Sequence, residues 1–93
     1  MEQAIHAIIS KVPKGCIFDS HFVINEIIKR FSNEYLSFAR GIKTDDPQLT
    51  AIVHGQIARK IDSCCKDLIE EKSESWSENI HRTPSKCTCW RKL

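Results

Sequence analysis

The sequence contains no hydrophobic run that approaches the ~18–20 apolar residues needed to cross a bilayer. Its first residues also lack the basic flank and apolar core of a secretory signal. No internal repeat and no linker-like segment is present, and 93 residues suffice for one hydrophobic core. We therefore expect a single cytoplasmic domain spanning residues 1–93, without a membrane partner.

Recognisable catalytic motifs are absent as well. The sequence has no glycine-rich phosphate-binding loop, no HExxH metal motif and no nucleophile elbow. Cys16 and His21 are close in the chain, but no known nucleophile–base pattern joins them, and His6 is interpreted as a surface histidine. The sequence predicts that the protein is not an enzyme.

The five cysteines are an odd number, which does not suit a closed set of disulfides. Free thiols in a reducing compartment mostly behave as small buried hydrophobic groups. A zinc site is an alternative, because a metal ion would stabilise a domain this small. Its possible ligands are Cys64, Cys65, Cys87, Cys89 and His81. Adjacent cysteines on a helix diverge by about 100°, and no C-x2-C spacing is present, so no cofactor is predicted.

Four amphipathic helices are predicted from apolar residues at helical spacing. Their expected bounds are residues 2–12, residues 20–31, residues 33–40 and residues 47–62. Pro13 ends the first helix, Asp19 caps the second, and Asp46 followed by Pro47 marks the start of the fourth.

The chain changes character after the fourth helix. Two segments, residues 68–72 and residues 88–93, are predicted as strands. Ser73–Lys86 is rich in Ser, Asn, Thr and Pro without periodicity, which indicates a hairpin loop. Trp76 in this loop is expected to fold back beside Trp90. Three to four helices followed by a C-terminal hairpin make an α+β fold.

This order of elements resembles the winged helix-turn-helix superfamily across nearly the whole chain. The resemblance implies that Cys16–Phe18 joins the hairpin in a three-stranded sheet, that Pro47–Asp62 is the recognition helix, and that Ser73–Lys86 is the wing. Turns before a recognition helix are usually three or four residues long. Here the extra turn Asn33–Arg40 and the connector Gly41–Asp46 precede the helix instead.

The polar face of the fourth helix and the basic residues of the hairpin are the predicted contacts with DNA. These residues are Gln48, Thr50, His54, Arg59, Lys72, Arg82 and Lys86. Gly55 lies on the same helix face, where it lowers helix propensity by about 1 kcal/mol and lets a neighbour approach closely. The prediction requires that His54, Gly55 and Arg59 are not covered by the protein's own chain.

The resemblance therefore implies a transcriptional regulator that binds duplex DNA, and we expect it to act as a homodimer because one such module rarely buries enough DNA surface. The formal net charge is only +2, although bases outnumber acids from Lys72 onward. Acidic residues favour a second hypothesis, a winged-helix module that binds protein and not DNA. These acids are Asp45, Asp46, Asp67, Glu70 and Glu71. A zinc-stapled adaptor is the third hypothesis.

Overall fold

The computed structural model describes residues 1–93 as an α+β fold, which confirms that part of the prediction. Four helices come first and most of the strands follow. The helices are α1 (Glu2–Ser10), α2 (Ser20–Arg30), α3 (Ser32–Arg40) and α4 (Leu49–Cys64). The strands are β1 (Ile17–Asp19), β2 (Ile69–Glu71), β3 (Ser75–Glu78), β4 (Pro84–Cys87) and β5 (Cys89–Lys92).

A proline beyond α1 and an aspartate before α2 account for the end of the first helix and the start of the second. α1 ends at Ser10, before Pro13, whose ring cannot continue a helix. The Asp19 carboxylate accepts a hydrogen bond from the Phe22 amide at 2.8 Å and caps α2, as the sequence predicts.

The fourth helix begins later and ends later than predicted, since it runs from Leu49 to Cys64. Asp46 does accept a hydrogen bond from a backbone amide, but the donor is Gln48 at 2.8 Å. Gln48 has backbone angles of φ −96° and ψ 47°, outside the helical region, so this bond closes a local turn and the helix starts only after it. Pro47 therefore lies in that turn, and Gln48 becomes the residue that precedes the helix.

A three-stranded antiparallel sheet has the order β1-β5-β2. In its register Phe18 lies opposite Trp90 on one side, and Glu71 lies opposite Trp90 on the other. Trp90 is fully buried, and its ring lies 5.7 Å from that of Phe18. Its indole Nε1 donates a hydrogen bond to Asp62 at 2.8 Å, which joins the sheet to the end of α4.

The segment predicted as a hairpin loop contains a hairpin of its own, so that prediction is wrong. β3 and β4 pair antiparallel as a separate two-stranded sheet. The Asn79 side chain accepts hydrogen bonds from the amides of His81 and Thr83 and closes the turn. Arg82 in that turn has a φ of 60°, in the left-handed region. Polar residues dominate both strands, so hydrophobic alternation could not identify them.

The core lies between the helices and the three-stranded sheet. Its fully buried side chains include Ile5, Ile9, Ile27, Ile57 and Ile61. Trp76 is 65% exposed and does not fold back against the core beside Trp90, contrary to expectation. No helix combines the length and the apolar character that crossing a bilayer requires.

Candidate nucleic-acid interface

The β3–β4 hairpin lies beside the N-terminal half of α4. The Thr50 hydroxyl and His81 Nε2 are 3.3 Å apart and join α4 to the hairpin turn. Farther along, Gly55 and Ala58 of α4 line a cleft of about 260 Å³ together with Lys86 of β4. We call this surface the α4–hairpin face. It consists of Gln48, Thr50, Ala51, His54, Gly55 and Arg59 of α4 and the preceding turn, and of Trp76, His81, Arg82 and Lys86 of the hairpin.

Two predicted contact residues on α4 interact with the protein itself. His54 is half-buried, and its Nε2 lies 2.8 Å from the Tyr35 hydroxyl of α3. Burial is the main cause that lowers the pKa of His54, and the neighbouring His81 and His21 lower it further. His54 is therefore not the freely projecting side chain that the sequence predicted. Thr50, through its contact with His81, is only partly available as well.

Gln48 and Arg59 are exposed, as predicted. The Arg59 guanidinium lies along α4, 3.9 Å from the point where a Cβ on Gly55 would stand. No other atom lies within 4 Å of that point, so packing inside the protein does not require a glycine there. Ala51 and Arg59 are exposed, whereas His54 and Gly55 are partly buried, so the requirement that these three positions (His54, Gly55 and Arg59) be uncovered is met in full only by Arg59.

The hairpin carries two exposed cations and an exposed indole. Lys86 lies over the Trp76 ring, with its ammonium nitrogen 6.0 Å from the ring centroid. Arg82 is exposed at the turn. Together they give the hairpin a positive, partly aromatic surface, with the acid Glu74 also in the cleft beside it.

Lys72 does not belong to this surface. Its ammonium group forms a salt bridge of 3.2 Å with Glu70, which also accepts a hydrogen bond from Arg91. Arg91 and then Lys72 hold the pKa of Glu70 below its ordinary value, so the carboxylate remains charged beside Lys72. Lys72 is thus the predicted DNA contact whose positive charge is neutralised by an acidic neighbour, Glu70.

The cysteines separate into groups that the sequence did not predict. Cys64 and Cys65 sulfurs lie 3.2 Å apart, and burial followed by the Cys64 hydrogen bond raises the pKa of Cys65 to about 12. Cys89 donates a hydrogen bond to the Ser73 carbonyl at 2.7 Å. Cys87 instead lies with Asp19 and His21, and the ligand atoms of these three side chains are within 4.8 Å of one another.

Sequence reasoning missed this cluster because its members come from distant parts of the chain. In the sequence, Asp19 and His21 lie at the start of a predicted helix, and Cys87 lies 66 positions after His21 and near Cys89 in the predicted hairpin. The alternation of Asp19 and His21 around Ser20 was the only local signal, and it does not identify a third partner.

No protein-family profile, curated protein or solved structure matches this chain. Its function is therefore inferred from its own residues and their geometry.

Proposed function

We propose that this chain is a winged helix-turn-helix protein that binds duplex DNA through the α4–hairpin face. In this proposal α4 enters the major groove, and the β3–β4 hairpin is the wing that contacts the DNA backbone. The regulatory role and the homodimer expected from the sequence belong to the same proposal.

The order of the elements supports the proposed fold. β1 lies between α1 and α2 in the chain, and it pairs with the strand that follows the hairpin. That strand, β5, lies between β1 and β2. The superfamily resemblance implies that the segment after α1 joins the C-terminal hairpin in a three-stranded sheet, and this arrangement is compatible with it. The differences are α3, the long connector before α4, and a wing that forms a separate two-stranded sheet.

The observation that carries the function is a stripe formed by Ala51, Gly55 and Arg59 of α4 and by Gln48, which directly precedes the helix. These residues are three or four positions apart, so they share one helix face. Hydrogen-bonding side chains stand at its two ends, and small residues lie between them. A major groove admits one helix, and side chains that reach base edges read the sequence there.

The remaining residues have different proposed roles. Arg82 and Lys86 are suited to phosphate contact, which is independent of sequence. Thr50 and His54 would hold the hairpin and α3 in position relative to α4. Lys72 is left out because Glu70 balances its charge.

A salt titration tests the proposal. Fluorescence anisotropy with a labelled random-sequence duplex should show binding at low salt that weakens steeply toward physiological salt. Absence of binding at low salt would exclude the DNA hypothesis.

Two substitutions and a control distinguish the roles. Arg82→Ala should weaken binding almost equally for all duplexes and reduce the logarithmic salt slope by about 1. Arg59→Ala should weaken binding to a selected sequence more than to random DNA. Lys11→Ala is the matched control, because Lys11 lines a separate groove beside Pro13 and Phe22. If both arginine variants behave like the control, the α4–hairpin face is not the DNA-binding surface.

The second candidate function is a module that binds protein, and one observation favours it. Ile17 is 64% exposed and Phe22 is 42% exposed, and both line an open groove of about 520 Å³ between α1, β1 and α2. The partner that can be tested directly is a second copy of the chain. If DNA binding is absent and Ile17→Glu converts a dimer to a monomer in sedimentation equilibrium, this function replaces the first.

A further inference from the structure

A cluster of three potential metal ligands lies where the β3–β4 hairpin meets the start of α2. Asp19 is the last residue of β1, His21 is in the first turn of α2, and Cys87 is the last residue of β4. Their ligand atoms lie within 4.8 Å of one another. Cys87 is buried, and the other two side chains are partly buried.

We propose that Asp19, His21 and Cys87 bind one Zn²⁺ ion, which fastens the β3–β4 hairpin to the body of the domain. Carboxylate oxygen, imidazole nitrogen and thiolate sulfur are all common zinc ligands, at about 2.0–2.3 Å from the metal. Tetrahedral coordination at those distances brings ligand atoms to about 3.4–3.7 Å from each other. The observed cluster therefore needs to contract by only about 1 Å.

Local contacts already orient two of the ligands. The Asp19 oxygen that accepts from the Phe22 amide fixes the carboxylate, and the second oxygen is left for a metal. The His21 ring lies between two serine hydroxyls, with Nδ1 2.6 Å from Ser77 and Nε2 3.3 Å from Ser85. When one ring nitrogen binds zinc, the other keeps its serine, which is how metal-bound histidines are usually held.

The hairpin is the element that gains from a metal. A two-stranded hairpin alone is marginally stable in water, and β3–β4 shares no strand pairing with the three-stranded sheet. Cys87 is its one buried residue. Ile80 of the hairpin turn packs against the core, and the side-chain hydrogen bonds between the hairpin and the helices involve His21 and His81. Coordination by Cys87 would add a stronger attachment.

Binding exchanges a proton for the metal. The Cys87 thiol loses its proton to solvent as the sulfur–zinc bond forms, and His21 binds as the neutral imidazole. Three protein ligands leave the fourth position for water. Because the ligands come from β1, α2 and β4, the ion would link the sheet edge, the helix start and the hairpin.

Metal analysis of the chain purified under reducing conditions, without chelator, tests the proposal in the absence of DNA. We expect one zinc ion per chain, and binding of Co²⁺ to the metal-free chain should produce a thiolate-to-cobalt absorption band. Zinc should also slow amide hydrogen exchange in residues 75–87, and a chelator should reverse that protection. A chain that holds no stoichiometric zinc and gives no cobalt band would overturn the proposal.

Substitutions identify the ligands. Asp19→Asn retains a good helix cap but offers a poor metal ligand, so it separates coordination from folding. Removing a residue that only hydrogen-bonds to a metal ligand lowers metal affinity by about 10–100-fold. Replacing a ligand itself should cost more, so Asp19→Asn and Cys87→Ser should each weaken Co²⁺ binding by at least about 100-fold.

Cys89→Ser is the matched control, because Cys89 is equally buried and lies two residues farther along the chain. It should retain binding and the cobalt band. Retention of the band by Cys87→Ser together with its loss in Cys89→Ser would assign a different ligand set and refute the proposed one. Metal binding without DNA binding, or the reverse, separates this inference from the proposed function.

Discussion

His54 shows how a single residue connects the helices. Its ring faces Tyr35 of α3, with the ring centroids 5.8 Å apart, and its Nε2 pairs with the Tyr35 hydroxyl. Burial lowers its pKa first, and the charges of His81 and His21 lower it further. The unfolded chain therefore binds a proton at His54 more readily than the folded chain does.

This difference predicts a loss of stability in acid. The contribution of His54 is fully present above the unfolded pKa of about 6.5 and is lost as the pH falls through the lower folded value. His54→Gln keeps a polar side chain but does not titrate, so its urea midpoint should fall less between pH 7.5 and pH 5 than that of the parent chain. Equal losses in both proteins would show that His54 does not contribute to the acid sensitivity.

At Gly55 of α4, one substitution should change stability and DNA binding in opposite directions. Gly55 is in the middle of this helix, has no positive φ and has ordinary space for a Cβ. Gly55→Ala should therefore stabilise the protein by about 0.5–1 kcal/mol, since alanine has the higher helix propensity. The same added methyl group should weaken DNA binding if DNA approaches the backbone at this point.

Urea unfolding and anisotropy measure the two effects in one variant. Ala58→Gly is the reciprocal control on the neighbouring turn, and it should destabilise the helix by a similar amount. A Gly55→Ala chain that is more stable and binds DNA as well as the parent would show that close approach at Gly55 is not needed.

The helices could be predicted because their signals are local. The isoleucines of α1 and α2 recur at helical spacing, and Asp19 caps α2 as its position suggests. The start of α4 is two residues later than predicted because a bond from the Gln48 amide to Asp46 occurs both in a helix cap and in a local turn. Only the three-dimensional structure shows that the backbone angles of Gln48 (φ −96°, ψ 47°) are not helical. Local patterns do not decide between such alternatives.

The β3–β4 hairpin and the metal-ligand cluster could not be predicted by the same means. Hairpin strands usually show a buried face, but here Cys87 is the only buried residue of either strand. The exposure of Arg59 could be predicted because Arg59 lies on the polar face of an amphipathic helix. The partial burial of His54 could not be predicted, because it depends on α3 packing against α4 and on the hairpin lying beside them.

One hydrogen bond from the buried core links the three-stranded sheet to α4. Trp90 is fully buried on β5, and Asp62 is the acceptor for its indole nitrogen. Asp62→Ala would leave a buried donor without a partner, which costs about 1–3 kcal/mol. Asp62→Asn retains an acceptor oxygen and should cost less.

Thermal or urea unfolding, followed by the fluorescence of Trp90 in a Trp76→Phe background, measures this difference. Trp76 is mostly exposed, so its removal leaves the buried indole as the reporter. If the alanine and asparagine variants are equally stable, the hydrogen bond does not link the two parts of the fold as described.

The position of β5 has a consequence for synthesis on the ribosome. β1 pairs only with β5, and so does β2, within the three-stranded sheet. A nascent chain that has not yet exposed residues 89–92 therefore carries two strand edges with no partner, while α1 to α4 have already emerged. Such unpaired edges favour association with other chains. A chaperone bound to them would delay aggregation until β5 emerges and pairs with both β1 and β2.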